Sequence, residues 1–415
     1  MINNTLSAID LFCGCGGISA GLQLAGFNII AGVDIEPKYI STFKHNFPHA
    51  QSLIMDLSKT DPIDFMSYLK IKEGELDILA GGPPCQGFSK NVPKKNRFLG
   101  NANNLLIKTF LDYCEAIKPK LILMENVAEM KSGFEQIYTE EIISRLAQAG
   151  YTVTHAVLNA ADYGVPQRRR RAFFLANRAS IEFSCPAQTH FKPLPKNRII
   201  EQFQLHVNVW DAIGDLPSLP YAENKIPTQY LIEPFSYFQS LMRGNQQLLT
   251  NHIARPLRPI QFERLASLLP GQGHKDLPIH LQVKSGYSGA YGRLTKDMIA
   301  PTITRWVFHP GSGRWGHPVD IRVLTIREAA RIQSFPDSFE FVGSYTQQAG
   351  QVGNAVPPLL IQKIVESMLN QVGISIFSKR DIKSSKLIFS SAFGNLKEIA
   401  CGLSQLGHQL RSPTK

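Results

Sequence analysis

The sequence predicts an α/β protein: a doubly wound, mostly parallel sheet covered by helices, with a second, smaller domain that is irregular or partly β. Three observations carry this reading. Short apolar runs alternate with amphipathic stretches over 1–185, that order breaks up under prolines and glycines from about 186, and helical periodicity resumes at 325–333 and 359–369. The 415 residues suffice for two or three domains, and 43% apolar against 19% charged residues excludes wholesale disorder.

Strands are read at 6–12 (LSAIDLF), 28–34 (NIIAGVD), 76–81 (LDILAG), 121–127 (LILMENV), 152–158 and 171–176 (RAFFLA). Amphipathic stretches at 17–24, 105–117 and 140–148 lie between several of them, as crossovers between parallel strands require. From Pro186 onward, PLPKN, GDLPSLP, ARPLRP and HPGSGRWGHP leave no regular period. The chain therefore divides into a first domain over 1–185, a second over 186–290, a return to the first over 291–372, and a basic extension over 373–415 with a short amphipathic helix at 396–406.

No apolar run approaches the ~18 residues of a membrane helix, and the start MINNTLSAID lacks the build of a secretory signal. Six cysteines in a chain this long do not form a disulfide framework, so a reducing cytoplasm is expected. The net charge of +11 is uneven: 186–315 carries 14 Lys/Arg against 8 Asp/Glu, 373–415 carries 7 against 2, and the remainder is balanced. Such a surplus suits a polyanionic partner, although a merely solvated surface explains charge alone equally well.

Four constellations carry chemistry. Asp10-Leu11-Phe12-Cys13-Gly14-Cys15-Gly16-Gly17 ends a strand and opens a helix, and Asp34 closes the next strand where it can accept hydrogen bonds from ribose hydroxyls. Ser19 stands where a dinucleotide fingerprint needs its third glycine, which leans away from a pyrophosphate cofactor. Cys13 and Cys15 lack a second pair, so no metal is expected. Cys85, in GGPPCQGFS just past a strand's carboxyl end, is a candidate nucleophile, against the ordinary fate of a lone buried cysteine. Lys90, Lys94, Lys95 and Arg97 follow it, and positive charge lowers a thiol pKa. Glu125 follows LILM, where desolvation raises a carboxyl pKa; a capping or salt-bridged glutamate is the equal alternative. In Gln167-Arg168-Arg169-Arg170-Arg171, alternation sends Arg169 and Arg171 to one face and Arg168 and Arg170 to the other.

These residues, with Met55-Asp56-Leu57, RVLTIREAARIQSFPD (322–337) and QVGNAVPP (351–358), form eight motifs. In order and spacing the set resembles the S-adenosylmethionine-dependent DNA (cytosine-5) methyltransferases, over about 1–185 and 291–372. The resemblance implies a Rossmann-like methyltransferase sheet and a target-recognition domain at 186–290. It implies base flipping, a Cys85 thiolate added to carbon 6 of the cytosine, and Glu125 protonating nitrogen 3. Arg169 is then near the base carbonyl, with Arg171 in support. Cofactor contacts carry over to Phe12, Gly14, Cys15, Gly17, Asp34, Ile35, Asp56, Leu57, Pro84, Leu105, Asn354 and Val356. Asp34 is shorter than the glutamate often found there, and Ile35 replaces a frequent aromatic.

The short build implies a bacterial enzyme that marks double-stranded DNA beside a cognate restriction endonuclease. The protein is then a cytoplasmic, nucleoid-associated monomer with no membrane contact. Three alternatives remain: a relative that methylates a tRNA cytosine, disfavoured by the long basic middle region; a nicotinamide oxidoreductase, disfavoured by the missing glycine; and a catalytically dead DNA-binding module, disfavoured by retention of Cys85 with Glu125. Neutralising Lys192, Lys196 and Arg198 together is expected to weaken binding to all duplexes alike and to flatten the dependence of log Kd on log salt; an unchanged slope in a salt titration removes the middle region from the DNA interface.

Overall fold

The computed structural model describes residues 6–84, 102–128, 135–192, 204–220, 228–283 and 289–373. Cys85, the basic segment after it, Lys196, Arg198 and the extension with its 396–406 helix lie outside the described residues.

Seven strands make the sheet: β1 (Ser7–Leu11), β2 (Asn28–Asp34), β3 (Gln51–Ile54), β4 (Ile78–Gly81), β5 (Leu121–Val127), β6 (Thr152–Asn159) and β7 (Arg170–Asn177), in the spatial order β3-β2-β1-β4-β5-β7-β6. The first five run parallel, and β7 is antiparallel to both β5 and β6. The order reverses beside β1, since the chain leaves it for β2 on one side and later returns to β4 on the other. In sheets of this kind the crevice outside the carboxyl ends at that point receives ligands.

The helices α1 (Gly17–Leu24), α2 (Pro37–Asn46), α3 (Pro62–Leu69), α4 (Ala102–Ile117) and α5 (Glu135–Gln148) follow the strands in turn. Period-two alternation sorts each strand's apolar side chains between two cores. Ala8, Ile78, Ala80, Leu121, Leu123, Phe173 and Leu175 join one cluster. Ile9, Leu11, Leu79, Ile122, Met124, Ala172 and Phe174 join the other. Both faces are buried, as parallel sheets require.

Beyond β7 the elements are short: α6 (Val209–Ile213), α7 (Tyr237–Arg243), α8 (Pro259–Ala266), and a two-residue pairing of His190–Phe191 with Gln204–Leu205. Then come α9 (Ile326–Ile332), α10 (Tyr345–Asn354) and α11 (Pro358–Val372), with α11 packed on α1. α9 starts at a capping box, Thr325 Oγ1 accepting from Glu328 N at 3.1 Å and Glu328 Oε2 accepting from Thr325 N at 2.8 Å.

The polar side chains of α9 point inward. Arg331 is fully buried, with its guanidinium on Asp337 (2.6 Å), on Asp215 and on the Ala212 carbonyl (3.0 Å). Arg322 pairs with Glu328 (2.7 Å) and Asp320 (2.9 Å), and Arg327 donates to the Thr250 and Phe339 carbonyls. Coulombic and hydrogen-bond pull from Arg331 holds the Asp337 carboxyl below its ordinary value in spite of burial. This network anchors the irregular middle region to α9, because Asp215 and Thr250 belong to it. Removing one member of a buried ion pair leaves an uncompensated charge, a loss of about 3–5 kcal/mol. Arg331→Ala is therefore expected to lower the unfolding free energy by that amount, measured by urea denaturation followed by near-UV circular dichroism; a loss below about 1 kcal/mol refutes the anchoring role.

Candidate active site

The turn after β1 is built from left-handed residues: Phe12 (φ 59°), Gly14 (φ 56°) and Gly16 (φ 100°). Such a turn folds the chain back and points backbone amides outward from the helix start. Gly14 N donates to Asp34 Oδ2 and Glu36 N to Asp34 Oδ1, both at 2.9 Å, so Asp34 locks this turn to the one after β2. Burial raises the Asp34 carboxyl pKa. A Cβ on Gly14 would meet nothing within 4 Å, so space opens directly over the turn. Ile35 is 58% exposed beside it, an apolar face available to a ring.

Other predicted contacts fall differently. Asp56 caps the short turn after β3, accepting from Ser58 N (3.1 Å) and Ser58 Oγ (2.6 Å) and pairing with Lys59 (3.1 Å). Leu57 is buried, whereas Leu105 on α4 is 52% exposed. The Cys15 thiol is buried, its pKa pushed up by desolvation, and its Sγ faces the Gln351 carbonyl at 3.6 Å. Asn354 donates to Tyr39 OH at 3.1 Å, and Val356 lies against Gly17. The 351–358 segment thus returns beside β1, across the mouth of the glycine turn.

Sequence reasoning missed Asp10. It is fully buried in β1, and Ser19 donates to its Oδ2 from both Oγ (2.6 Å) and N (3.1 Å), while Oδ1 has no hydrogen-bond partner. Ser19, read as a departure from a glycine fingerprint, is the hydrogen-bond partner of that acid. The available signal was a carboxylate inside an otherwise apolar strand. Burial pushes the Asp10 pKa up to about 7.

The second half of the site lies at the carboxyl ends of β4 and β5. Glu125 pairs with Phe173 and Val127 with Arg171 in the β5–β7 register, which makes Glu125 and Arg171 diagonal neighbours on one face. Arg171 Nε meets Glu125 Oε1 at 2.9 Å. Burial raises the Glu125 pKa, opposed by the charges of Arg171 and Arg169. Asn126 Nδ2 donates to the Pro83 carbonyl at 3.2 Å, and a Cβ on Gly82 would lie 3.3 Å from Glu125 Oε2. The loop leading to Cys85 is therefore tied to Glu125's own strand, and half-buried Pro84 is its last described residue.

The arginine run divides as alternation predicts, Arg168 and Arg170 exposed, Arg169 buried and Arg171 half-buried. Arg169, however, donates to the carbonyls of Ile303 (3.1 Å) and Gly353 (3.3 Å). The arginine on the Glu125 carboxylate is Arg171.

Residues 6–370 match the C-5 cytosine-specific DNA methylase family. The chain belongs to that family. This methylase is 34% identical over 368 residues to the Type II methyltransferase M1.HphI of Haemophilus parahaemolyticus, covering 88% of this chain and 87% of the relative. It is 32% identical to M.DdeI of Desulfomicrobium norvegicum, covering 92% and 94%. Among solved structures, a prophage-encoded E. coli protein studied as a candidate DNA modification methyltransferase superposes with TM-score 0.69 at 25% identity, over 89% of this chain and 99% of that one. Among the described residues, no cluster of His, Cys, Asp and Glu could hold a metal ion, and no helix is long and apolar enough to cross a membrane.

Asp10 gives the methylase a pH signature. An unfolded aspartate loses its proton near pH 4, whereas the folded one keeps it to about 7. The folded state binds the extra proton in that window, so this group's contribution to stability falls as pH rises from 4 to 7, by up to about 4 kcal/mol. Asp10→Asn is expected to flatten that decline. Urea midpoints of both proteins at pH 5 and pH 8 test it, and parallel losses would contradict it.

Proposed function

We propose that the methylase transfers a methyl group from S-adenosylmethionine to carbon 5 of a cytosine in a short specific duplex sequence, with the target base flipped out of the helix and joined covalently to Cys85. The observation that supports it most is the Glu125–Arg171 pair (2.9 Å) on the strand whose Asn126 holds the carbonyl two residues before Cys85. A buried carboxyl with a raised pKa, braced by a guanidinium, is suited to hold a proton for a ring nitrogen.

In this reading Cys85 adds as thiolate to carbon 6 of the cytosine. Glu125 delivers its proton to nitrogen 3, which absorbs the charge released into the ring by the attack. Arg171 fixes the carboxyl in place, and we assign it the position beside the base. Arg169 takes a positioning role instead, because its guanidinium is engaged with the 303 and 353 carbonyls. S-adenosylmethionine, when bound, supplies an electrophilic methyl group. Loss of the carbon-5 proton to water, return of the nitrogen-3 proton to Glu125 and departure of the Cys85 sulfur as thiolate restore the aromatic ring and the free enzyme.

The residues around the glycine turn suit that cofactor. Gly14 leaves room over the amides, Asp34 lies where a ribose would meet it, and exposed Ile35 with half-buried Phe12 offers an apolar cradle for adenine. Leu105 and Pro84 would flank the methionine end, with Gly17, Cys15, Val356 and Asn354 closing the turn. Buried Leu57 and the engaged Asp56 would act through their backbone.

We further assign 186–290 to target recognition, with 1–185 and 291–372 as the catalytic domain. On the Type II names of its relatives we assign the methylase a role in protecting host DNA from a cognate endonuclease, and we propose that it acts as a monomer in the cytoplasm on nucleoid DNA. Duplex DNA with 5-fluorocytosine at the target, which has no proton to lose from carbon 5, is expected to trap a denaturation-resistant adduct. Cys85→Ser should form none and transfer no methyl, and Glu125→Gln should lose at least 10²-fold in kcat. A Cys85→Ser protein with normal turnover would overturn the mechanism.

A further inference from the structure

The methylase has three tryptophans. Trp315 is buried, and Trp210 is partly buried under the Lys296 ammonium, 4.2 Å from its ring. Trp306 is 50% exposed. The Arg305 guanidinium sits 5.1 Å from its ring centroid.

The segment presenting Trp306 is pinned on both sides. Before it, Thr302 Oγ1 donates to the Arg168 carbonyl (2.6 Å), Ile303 N donates to Gln167 Oε1 (2.7 Å), and the Ile303 carbonyl accepts from Arg169 (3.1 Å). A Cβ on Gly353 would collide with the Thr304–Arg305 peptide, so that peptide is wedged against the C-terminal return. After it, Val307 and Phe308 are buried, and the Trp306 carbonyl accepts from His309 N (2.9 Å) and Ser312 Oγ (2.8 Å). An indole held open on a backbone this constrained is an anchor awaiting an apolar surface.

Its location states which surface. Ile303 contacts Arg169, two residues from the arginine that holds Glu125. On the other side, Arg305 lies within electrostatic reach of Lys38 and Tyr39 at the start of α2. The segment thus presents exposed Arg305 three residues beyond Thr302, whose hydroxyl is bonded to the backbone of exposed Arg168, and among the described residues no carboxylate pairs with either arginine. Guanidiniums around a planar apolar ring match one ligand chemistry: phosphates flanking a stacked or unstacked nucleotide.

We propose that Arg305 and Trp306 dock the duplex immediately beside the target cytosine, the guanidinium on a backbone phosphate and the indole against the sugar or base of the neighbouring nucleotide. The inference rests on the reading that the flipped base meets Glu125. It adds a contact outside 186–290, where recognition was expected.

The test uses the full-length protein, S-adenosylhomocysteine, and a duplex oligonucleotide carrying the sequence that bisulfite analysis shows to be modified. Acrylamide quenching of the Trp306 signal, taken as the difference between wild type and Trp306→Phe, is expected to fall at least twofold when DNA is bound. Trp306→Ala should raise KM for DNA by about tenfold to a hundredfold with KM for S-adenosylmethionine unchanged, and Trp306→Phe should recover most of the loss. Arg305→Ala should lower the salt slope of binding by about one. An indole still open to acrylamide in a complex confirmed by mobility shift, or an unchanged KM for DNA in Trp306→Ala, would overturn the proposal. Failure of the parent reading would appear separately, as no trapped adduct from a protein whose indole is nevertheless shielded by DNA.

Discussion

The site depends on one constraint of chain direction. β5 ends at the carboxyl edge of the sheet with Glu125, and a parallel neighbour would bring only its own carboxyl end to that edge. β7 runs the other way, so its amino end, with the four arginines, arrives there instead. The register then decides which arginine meets the acid. With Val127 opposite Arg171, only the residue diagonal to Glu125 reaches it, and Arg169 passes beyond the strand end to the C-terminal segment. Glu125, the Arg171 that meets its carboxylate, and the outward-facing Arg168 and Arg170 are thereby sorted by strand geometry, before any side chain chooses a partner.

The other half of the design is a polar seam that draws the C-terminal residues to the sheet. Gln167 Nε2 donates to Gln333 Oε1 (2.7 Å), and Gln333 Nε2 donates to the Val352 carbonyl (2.7 Å). Gln351 accepts from Thr42 Oγ1 (2.9 Å) and donates to the Lys38 carbonyl (2.9 Å). Buried amides that satisfy one another fix a unique arrangement, because any slip strands donors away from water. The seam holds 302–305, the arginine run and the glycine turn in one frame, so both the proposed cofactor cradle and the Glu125–Arg171 pair inherit their positions from it.

Much of this was legible in the sequence. Alternation placed Arg169 and Arg171 on one face, the glycine turn and Asp34 came together, and all six strands read from apolar runs are present. β3 escaped notice because QSLI is a four-residue edge strand with partly exposed side chains, and so lacks an apolar run. Which arginine meets Glu125 could not be read, since that depends on the β5–β7 register, and the Gly353 carbonyl that Arg169 reaches lies 184 residues away. Arg331 reads as the polar face of an amphipathic helix, yet it is buried, and its partner Asp215 lies 116 residues earlier in a stretch without regular period. Asp10 reads only as the first residue of the glycine motif, and its burial comes from the fold, which covers both faces of β1.

Cys15 in the first turn faces Gln351, 336 residues later in the chain. A loop that long closes late, after the local strand–helix units have formed. On a ribosome, the glycine turn therefore emerges early and waits, unfinished, until α10 and the segment after it have been translated. A chain stopped before residue 351 can form the early strands and helices, yet its glycine turn lacks the contact that Gln351 supplies.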